Sequence, residues 1–259
     1  MNITESIIAR FRSYKRAHFG LFPEGRKLAE LKGLHHGQRC FIVGNGPSLR
    51  SEDLTRIYTN GDLSFACNRI FHIFKDTPWR PTYYISQDEK VLASCVDDVN
   101  LIPSKKIFIP IELLWDSDIY VNEADYYHLD SKDGDLHPSF SLDISKSVSI
   151  SKTVVYTAIQ FAVYMGIHEI YLIGVDHHFH ISQKSNGDIV VDPTVKDYFV
   201  EEYNSDIDKQ WIPNTDESTW TYIAAQEFSL KYGFKIYNAT RGGKLEVFER
   251  VDFDSLFCQ

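Results

Sequence analysis

Short apolar runs recur along the chain, and each is closed by small or polar residues. Residues 40–43, Cys-Phe-Ile-Val, run into Gly44-Asn45-Gly46-Pro47-Ser48. The spacing predicts a buried strand and then a sharp turn, because Pro47 cannot extend a ladder and glycines allow close backbone approach. Four further runs have the same form: 63–67 ending at Asn68, 81–88 ending at Asp88, 106–109 stopped by Pro110, and 169–173 ending at Gly174-Val175-Asp176. Residues 235–238 predict a last strand. Between the runs lie helical patterns. Ser51 is expected to cap one, with Glu52 and Asp53 in its first turn. Residues 153–165 are apolar almost all round, as in a buried helix, with Gly166 behind them. A helix is expected after Ser218, through Ile223, Ala224, Phe228 and Leu230 to Gly233. Buried helix followed by buried strand is half of a parallel crossover. The expected fold is α/β: a Rossmann-like, mostly parallel sheet with helices on both faces, in a single domain spanning 37–257.

Two segments depart from this pattern. Residues 1–36 predict a helical extension. Thr4 is its cap, Ile7, Ile8, Phe11 and Tyr14 share one face, and Arg10, Arg12, Lys15 and Arg16 surround them. Such a helix either packs on the domain or lies on a membrane surface or partner. Residues 182–217 are acidic and rich in Tyr, Asn and Asp without periodicity, which reads as a mobile, lid-like insertion. Residues 115–149 carry no assignable pattern.

Composition narrows the functional classes. The chain has 259 residues, a net charge of −9 and 14% aromatics. The charge argues against a nucleic-acid backbone as partner. A small anion can still bind at local amides and helix ends. The four cysteines form no CxxC pair and read as reduced thiols, and no secretory signal or spanning segment is evident, so a cytoplasmic location is expected.

Candidate chemistry gathers at the strand ends. Gly44, Asn45, Gly46, Pro47 and Ser48 form a turn that suits a nucleotide, although it lacks the Walker lysine and Leu49 replaces the third dinucleotide glycine. Asn68 can contact a ligand or cap the next segment. Asp88 can hold a metal or sugar hydroxyl, or serve as an N-cap. Thr153 can meet a phosphate at a helix end or simply cap it. Asp176-His177-His178-Phe179-His180 places three histidines after a strand, where a neutral imidazole can act as a base near pH 7. A metal is less favoured there, since adjacent loop residues rarely all face one ion. Arg241-Gly242-Gly243-Lys244 is a turn or an anion nest.

With these blocks in view, the chain resembles two related groups. Gly44-Asn45-Gly46-Pro47-Ser48-Leu49, Ala66-Cys67-Asn68 and the run from Met165 to Asp176 are similar to the small bacterial sialyltransferases that use CMP-sialic acid. The same blocks resemble the hydroxymethylpterin diphosphokinase-like (MptE-like) family, which includes the flagellin-modifying motility accessory factors. The closing run from Ile236 to Glu246 looks more like that second family. The sialyltransferase resemblance implies nucleotide contacts at Asn45, Gly46, Ser48 and Asn68, a donor-holding segment beginning at Thr153 and Val154, and Asp176 beneath it. Those enzymes have Thr-Ser-Gly where this chain has Thr153-Val154-Val155, and tyrosines where it has His177 and His178. Their catalytic histidine corresponds to the neighbourhood of Asp216 and Glu217, so the base is expected among His177, His178, His180, Asp216 and Glu217.

The resulting expectation is a glycosyltransferase of bacterial surface-polysaccharide synthesis. It would move an acidic sugar from a nucleotide-activated donor, such as a CMP-sugar, to a glycan acceptor without a required cofactor or metal. The alternatives are an ATP-dependent pterin diphosphokinase, with Mg²⁺ on Asp88 and Asp176, and a non-catalytic nucleotide- or glycan-binding module. Association with the inner face of the membrane through the basic N-terminal helix, and homo-oligomerisation, are compatible with the chain.

Overall fold

The structure, a computed structural model, describes residues 3–130, 138–199 and 211–258. The chain opens with two helices, α1 (Ile3–Ala17) and α2 (Pro23–Ala29). Then follow β1 (Arg39–Val43), α3 (Ser51–Asn60), β2 (Leu63–Cys67), β3 (Tyr83–Ile85), α4 (Glu89–Val99), β4 (Lys106–Pro110) and α5 (Ile111–Asp116). The middle of the chain holds β5 (Asp125–Tyr127), β6 (Leu129–Asp130), β7 (Val148–Ser149), α6 (Val154–Tyr164) and β8 (Glu169–Ile173). Last come a hairpin, β9 (Ile181–Gln183) and β10 (Ile189–Val191), then α7 (Thr215–Tyr232), β11 (Lys235–Asn238) and β12 (Glu249–Arg250).

Eight strands form one sheet in the order β12-β11-β8-β1-β2-β3-β4-β5. Every pairing in it is parallel. A parallel sheet must bury both faces, and the strands alternate accordingly. Cys40 and Ile42 of β1 point with Phe65 and Leu172 into a core shared with α6 and α7. Phe41 and Val43 point the other way, with Tyr84 and Ile173, against α3 and α4. This is the Rossmann-like sheet, covered on both sides, that the apolar runs imply.

Helix α6 is buried on nearly every side, as its composition requires. Its Gln160 is fully buried and earns its place by serving a loop. Gln160 Oε1 accepts from the N–H groups of Ser141 and Ser149 at 2.9 and 3.0 Å, and Nε2 donates to the Ser149 carbonyl at 3.0 Å. The end of the segment without periodicity, at Ser141 and Ser149, is thus held by a side chain of the following helix.

Several local expectations change. The N-cap of α3 is Arg50, and Ser51 is its first helical residue. Helix α1 already includes Ile3 and Thr4. Helix α7 begins at Thr215 rather than after Ser218, because the Asn214 side chain accepts from the Glu217 N–H. Asp216 and Glu217 therefore sit in the first turn of a helix, not in the insertion. The insertion itself carries the β9–β10 hairpin, and its residues 200–210 lie outside the described residues. Cys40, Cys67 and Cys95 are buried free thiols, and Cys258 is an exposed one.

Gly44 and Gly46 are pressed against the turn after β8. A Cβ on Gly44 would enter van der Waals overlap with the Gly174 carbonyl, and one on Gly46 would overlap the Asp176 carboxylate. Neither glycine has positive φ, so the constraint is space rather than conformation. Gly44→Ala is expected to destabilise the fold by about 1–3 kcal/mol, the usual range for overpacking. Urea unfolding of wild type and variant checks it, and an unchanged midpoint would refute the close packing.

Candidate functional site

The carboxyl ends of β1 and β8 are the topological switch of the sheet, since β1 pairs with β2 on one side and with β8 of the other half on the other. Open α/β sheets bind ligands above such a point. Here the two strand-end turns are fastened together. The N–H groups of Gly44 and Gly46 donate to the carbonyls of Ile173 and Gly174, both at 2.8 Å. The Ser48 hydroxyl and N–H donate to Asp176 Oδ2 at 2.7 and 3.3 Å. The Leu49 N–H returns to the Gly46 carbonyl.

These bonds occupy most of the donors that the sequence assigns to a phosphate. Pro47 has no N–H to offer. What the turn retains is Asn45, only 8% exposed. Its Nδ2 donates to the Cys67 carbonyl at 3.1 Å, while its Oδ1 is buried and has no partner. A bare buried acceptor is rare in folded proteins and costs about 1–3 kcal/mol. It is the one unmet hydrogen-bonding group of the turn's side chains among the described residues.

Helix α3, which follows the glycine turn, already carries Glu52 and Asp53 in its first turn. Helix α6 has no acid in its first turn. Thr153 caps α6, its hydroxyl accepting from the Val155 N–H at 3.3 Å. Val154, the first helical residue, has no intrahelical acceptor for its own N–H. The first turn of α6 thus carries no acid of its own, which leaves its dipole end less offset than that of a helix with acids there.

Polar residues also follow β2 and β3. Asn68, with φ of 52°, ends β2, and its Oδ1 accepts from the Ser86 hydroxyl at 3.1 Å. Asn68 does not cap the following turn, whose N-cap is Arg69. Next to Ser86, Gln87 accepts from the Thr157 hydroxyl of α6 at 2.6 Å and donates to the Ser151 carbonyl at 3.2 Å. The sequence reading passed over Gln87 and Thr157; a buried threonine in an otherwise apolar helix was the available signal. Asp88 takes the cap role, accepting from the Val91 N–H at 3.0 Å. From the insertion, the Phe199 N–H donates to the Asn45 carbonyl at 3.2 Å, so this segment lies on the glycine turn.

Asp88 and Asp176 do not fit a shared magnesium ion. They follow β3 and β8, three strand spacings apart, about 14 Å. Each already holds backbone or hydroxyl donors. Burial pushes both carboxyls above their ordinary range.

The three histidines turn to separate partners. His180 Nδ1 faces the Asp192 carbonyl at 2.8 Å, so it must be the donor. His178 Nε2 lies 3.2 Å from Asp192 Oδ2 and 3.0 Å from Lys244 Nζ. It can donate to the first or accept from the second, but not both at once. His177, with φ of 53°, bonds through Nε2 to the Thr219 hydroxyl at 2.7 Å and meets Tyr222 edge-on. Thr219 spends its own hydroxyl proton on the Thr215 carbonyl at 2.8 Å. Nε2 of His177 must then carry the hydrogen, which leaves the lone pair on Nδ1. Burial, aided by Lys184 and opposed by Asp216, lowers the His177 pKa.

The carboxylates of α7 are engaged. Asp216 accepts from the Ser185 N–H and hydroxyl and from Lys184, and these contacts hold it below the usual carboxylate range. Glu217 pairs with Lys152 at 3.1 Å, beside the α6 cap. Tyr222 reaches Thr153 Oγ1 at 3.4 Å and so joins the histidine to the end of α6. A separate cavity of about 510 Å³ lies behind the glycine turn, lined by Arg50, Thr240, Arg241 and Arg250 among others. Two of its guanidiniums are already bound: Arg241 holds Asp53 and Asp254, and Arg250 holds Glu246 and the Gly242 carbonyl.

Sheet order and the strand-end seam define a Rossmann-like, parallel α/β protein. The family comparison is more particular: residues 17–182 match the model of the 6-hydroxymethylpterin diphosphokinase MptE-like family, and the chain belongs to it. Among solved structures, it is similar to the MAf glycosyltransferase from Magnetospirillum magneticum AMB-1, with a TM-score of 0.50 and 17% identity over 91% of this chain. The likeness covers 39% of that larger chain, and at this identity it speaks to the fold. No curated protein matches the chain.

Since the folded state lowers the His177 pKa, its imidazole is expected to be neutral at pH 7 and to titrate below 6.5. Long-range ¹H–¹⁵N spectra should show the Nε2–H tautomer. An Nδ1–H tautomer would contradict the bond to Thr219, and a midpoint above the ordinary histidine value would contradict the burial of the ring.

Proposed function

We propose that the chain is a glycosyltransferase that takes a sugar from a nucleotide-activated donor, a CMP-linked acidic sugar in the reading favoured here, and places it on a glycan hydroxyl. The observation that carries the proposal is the pairing of an unfilled acceptor on Asn45 with a helix end at α6 that has no acid in its first turn, across one strand-end crevice. A nucleotide supplies both complements, an amino or hydroxyl donor for Asn45 Oδ1 and a phosphate for the end of α6. The solved glycosyltransferase of similar fold supports the same class.

In this reading the acceptor hydroxyl attacks the anomeric carbon, and the carbon–oxygen bond to the phosphate breaks. The hydroxyl proton passes to His177 Nδ1, whose lone pair the Thr219 bond leaves free. The phosphate leaves toward Val154 and Thr153, where the helix end stabilises its charge. Asn68 orients the donor. His178 and Glu217 position the flanking lysines, the one beside Lys244 and the other by holding Lys152. No step needs a metal.

The family description favours a second reading, diphosphate transfer from ATP to a pterin alcohol. Its magnesium would require acids other than the Asp88–Asp176 pair. A thermal-shift panel of CMP, CDP, UDP and ATP with and without Mg²⁺ separates the two. Stabilisation by CMP that survives chelator is expected, and stabilisation by ATP only with Mg²⁺ would transfer the assignment to the kinase reading.

Two variants test the roles. Asn45→Ala should weaken nucleotide binding about tenfold, the loss of one good hydrogen bond, without unfolding the chain. His177→Asn should lower kcat by about 10²–10⁴ with little change in KM. Because the base must be neutral, the wild-type rate should fall as pH drops through the lowered His177 pKa and stay level above it. Full activity in His177→Asn would remove the histidine from the mechanism.

A further inference from the structure

Helix α1 is docked by its charged side. Lys15 is buried and pairs with Glu24 at 2.6 Å. Arg12 and Arg16 reach Asp116 at 3.1 and 3.4 Å, and Arg16 also reaches Glu112 at 3.4 Å. The indole of Trp115 lies under both arginines. The apolar stripe consequently faces outward, with Ile7 62%, Ile8 45%, Phe11 56% and Tyr14 56% exposed. Phe11 and Tyr14 meet Phe22 edge-on, and neighbouring Leu21 is 65% exposed, which extends the patch onto the next turn. This reverses the usual arrangement, in which a surface helix buries its apolar side. Helix α1 also lies almost wholly ahead of the residues that match the family, 17–182.

Charge selects the occupant of this patch. Residues 1–36 contain seven Lys and Arg against three Glu, whereas the rest of the chain is strongly acidic within a total of −9. Arg10, Arg26 and Lys32 are exposed and make no ion pair among the described residues. An anionic bilayer attracts the basic end and repels the acidic body, so the two fields together turn the stripe toward the lipid. Repulsion between acidic bodies works against a second copy in the same place. The aromatic pair Phe11 and Tyr14 suits the headgroup boundary.

We infer that α1 and the adjoining turn are a peripheral membrane anchor, which inserts Ile7, Ile8, Phe11 and Tyr14 into an anionic lipid surface. The anchor is independent of the proposed reaction, because it touches none of the strand-end residues.

Co-sedimentation of the full chain with phosphatidylglycerol–phosphatidylcholine vesicles tests it. Binding is expected to be at least tenfold stronger than to pure phosphatidylcholine, and to weaken with salt. Ile7→Ser with Phe11→Ser should cut it at least tenfold while the Tm stays unchanged, since both side chains are exposed. Arg10→Glu should weaken it with the stripe intact. Failure of the wild type to bind anionic vesicles, or full binding by the double variant, overturns the inference. So does light scattering that shows a wild-type dimer converted to monomer by the double variant, since the stripe would then belong to a second copy.

Discussion

The seam between β1 and β8 governs this protein. Two strand-end turns meet closely, Gly44 on the Gly174 backbone and Gly46 on the Asp176 carboxylate, and four hydrogen bonds close the contact. The seam fixes the height of the glycine turn over the sheet, and with it the direction of Asn45. It also holds Asp176, from which the chain runs directly into His177. Ligand-facing groups on both halves of the sheet are thus referred to one rigid contact. Asp176 carries out this task as a buried carboxylate anchored by Ser48, where a ligand anion on the same atoms would meet an acid.

This arrangement divides the work between two helix ends. The one behind the glycine turn carries its own acids, Glu52 and Asp53, the second of them held by Arg241. The one at Thr153 has no acid in its own first turn. The most compact motif in the chain therefore builds the wall of the crevice, and a less conspicuous threonine at the start of a buried helix supplies the electrostatics. Asn68 with Ser86, and Gln87 with Thr157, form two hydrogen-bonded pairs that follow one another along the chain after β2 and β3.

The central strands were legible because burial on both faces leaves a continuous apolar run, as in residues 40–43 and 169–173. β5, Asp-Tyr-Tyr, was not. It is a short edge strand whose Asp125 is bound to Lys106 across the ladder, so its register depends on a partner distant in sequence. The start of α7 was within reach: Asn214 followed by Glu217 is a capping pattern, masked by the acidic stretch around it. At the site, residue types were readable and assignments were not. Asn45, Asn68 and His177 follow β1, β2 and β8, and Thr153 caps α6. That Ser48 is committed to Asp176, or that Thr219 sets the tautomer of His177, depends on contacts across 128 and 42 residues. The outward stripe of α1 likewise depends on acids at 112 and 116 that no local pattern connects to it.

The seam also has a temporal consequence. β1 lies against β8 in the register Arg39↔Glu169, so the two halves of the crevice are separated by about half the polypeptide. As the chain emerges from a ribosome, β1 through β4 can pair with one another while the glycine turn still faces water on its far side. Closure of so large a loop sets a slow step in collapse. Until it happens, the edge of β1 is open to pairing with a strand of another chain, which makes early folding, rather than the finished sheet, the aggregation-prone stage.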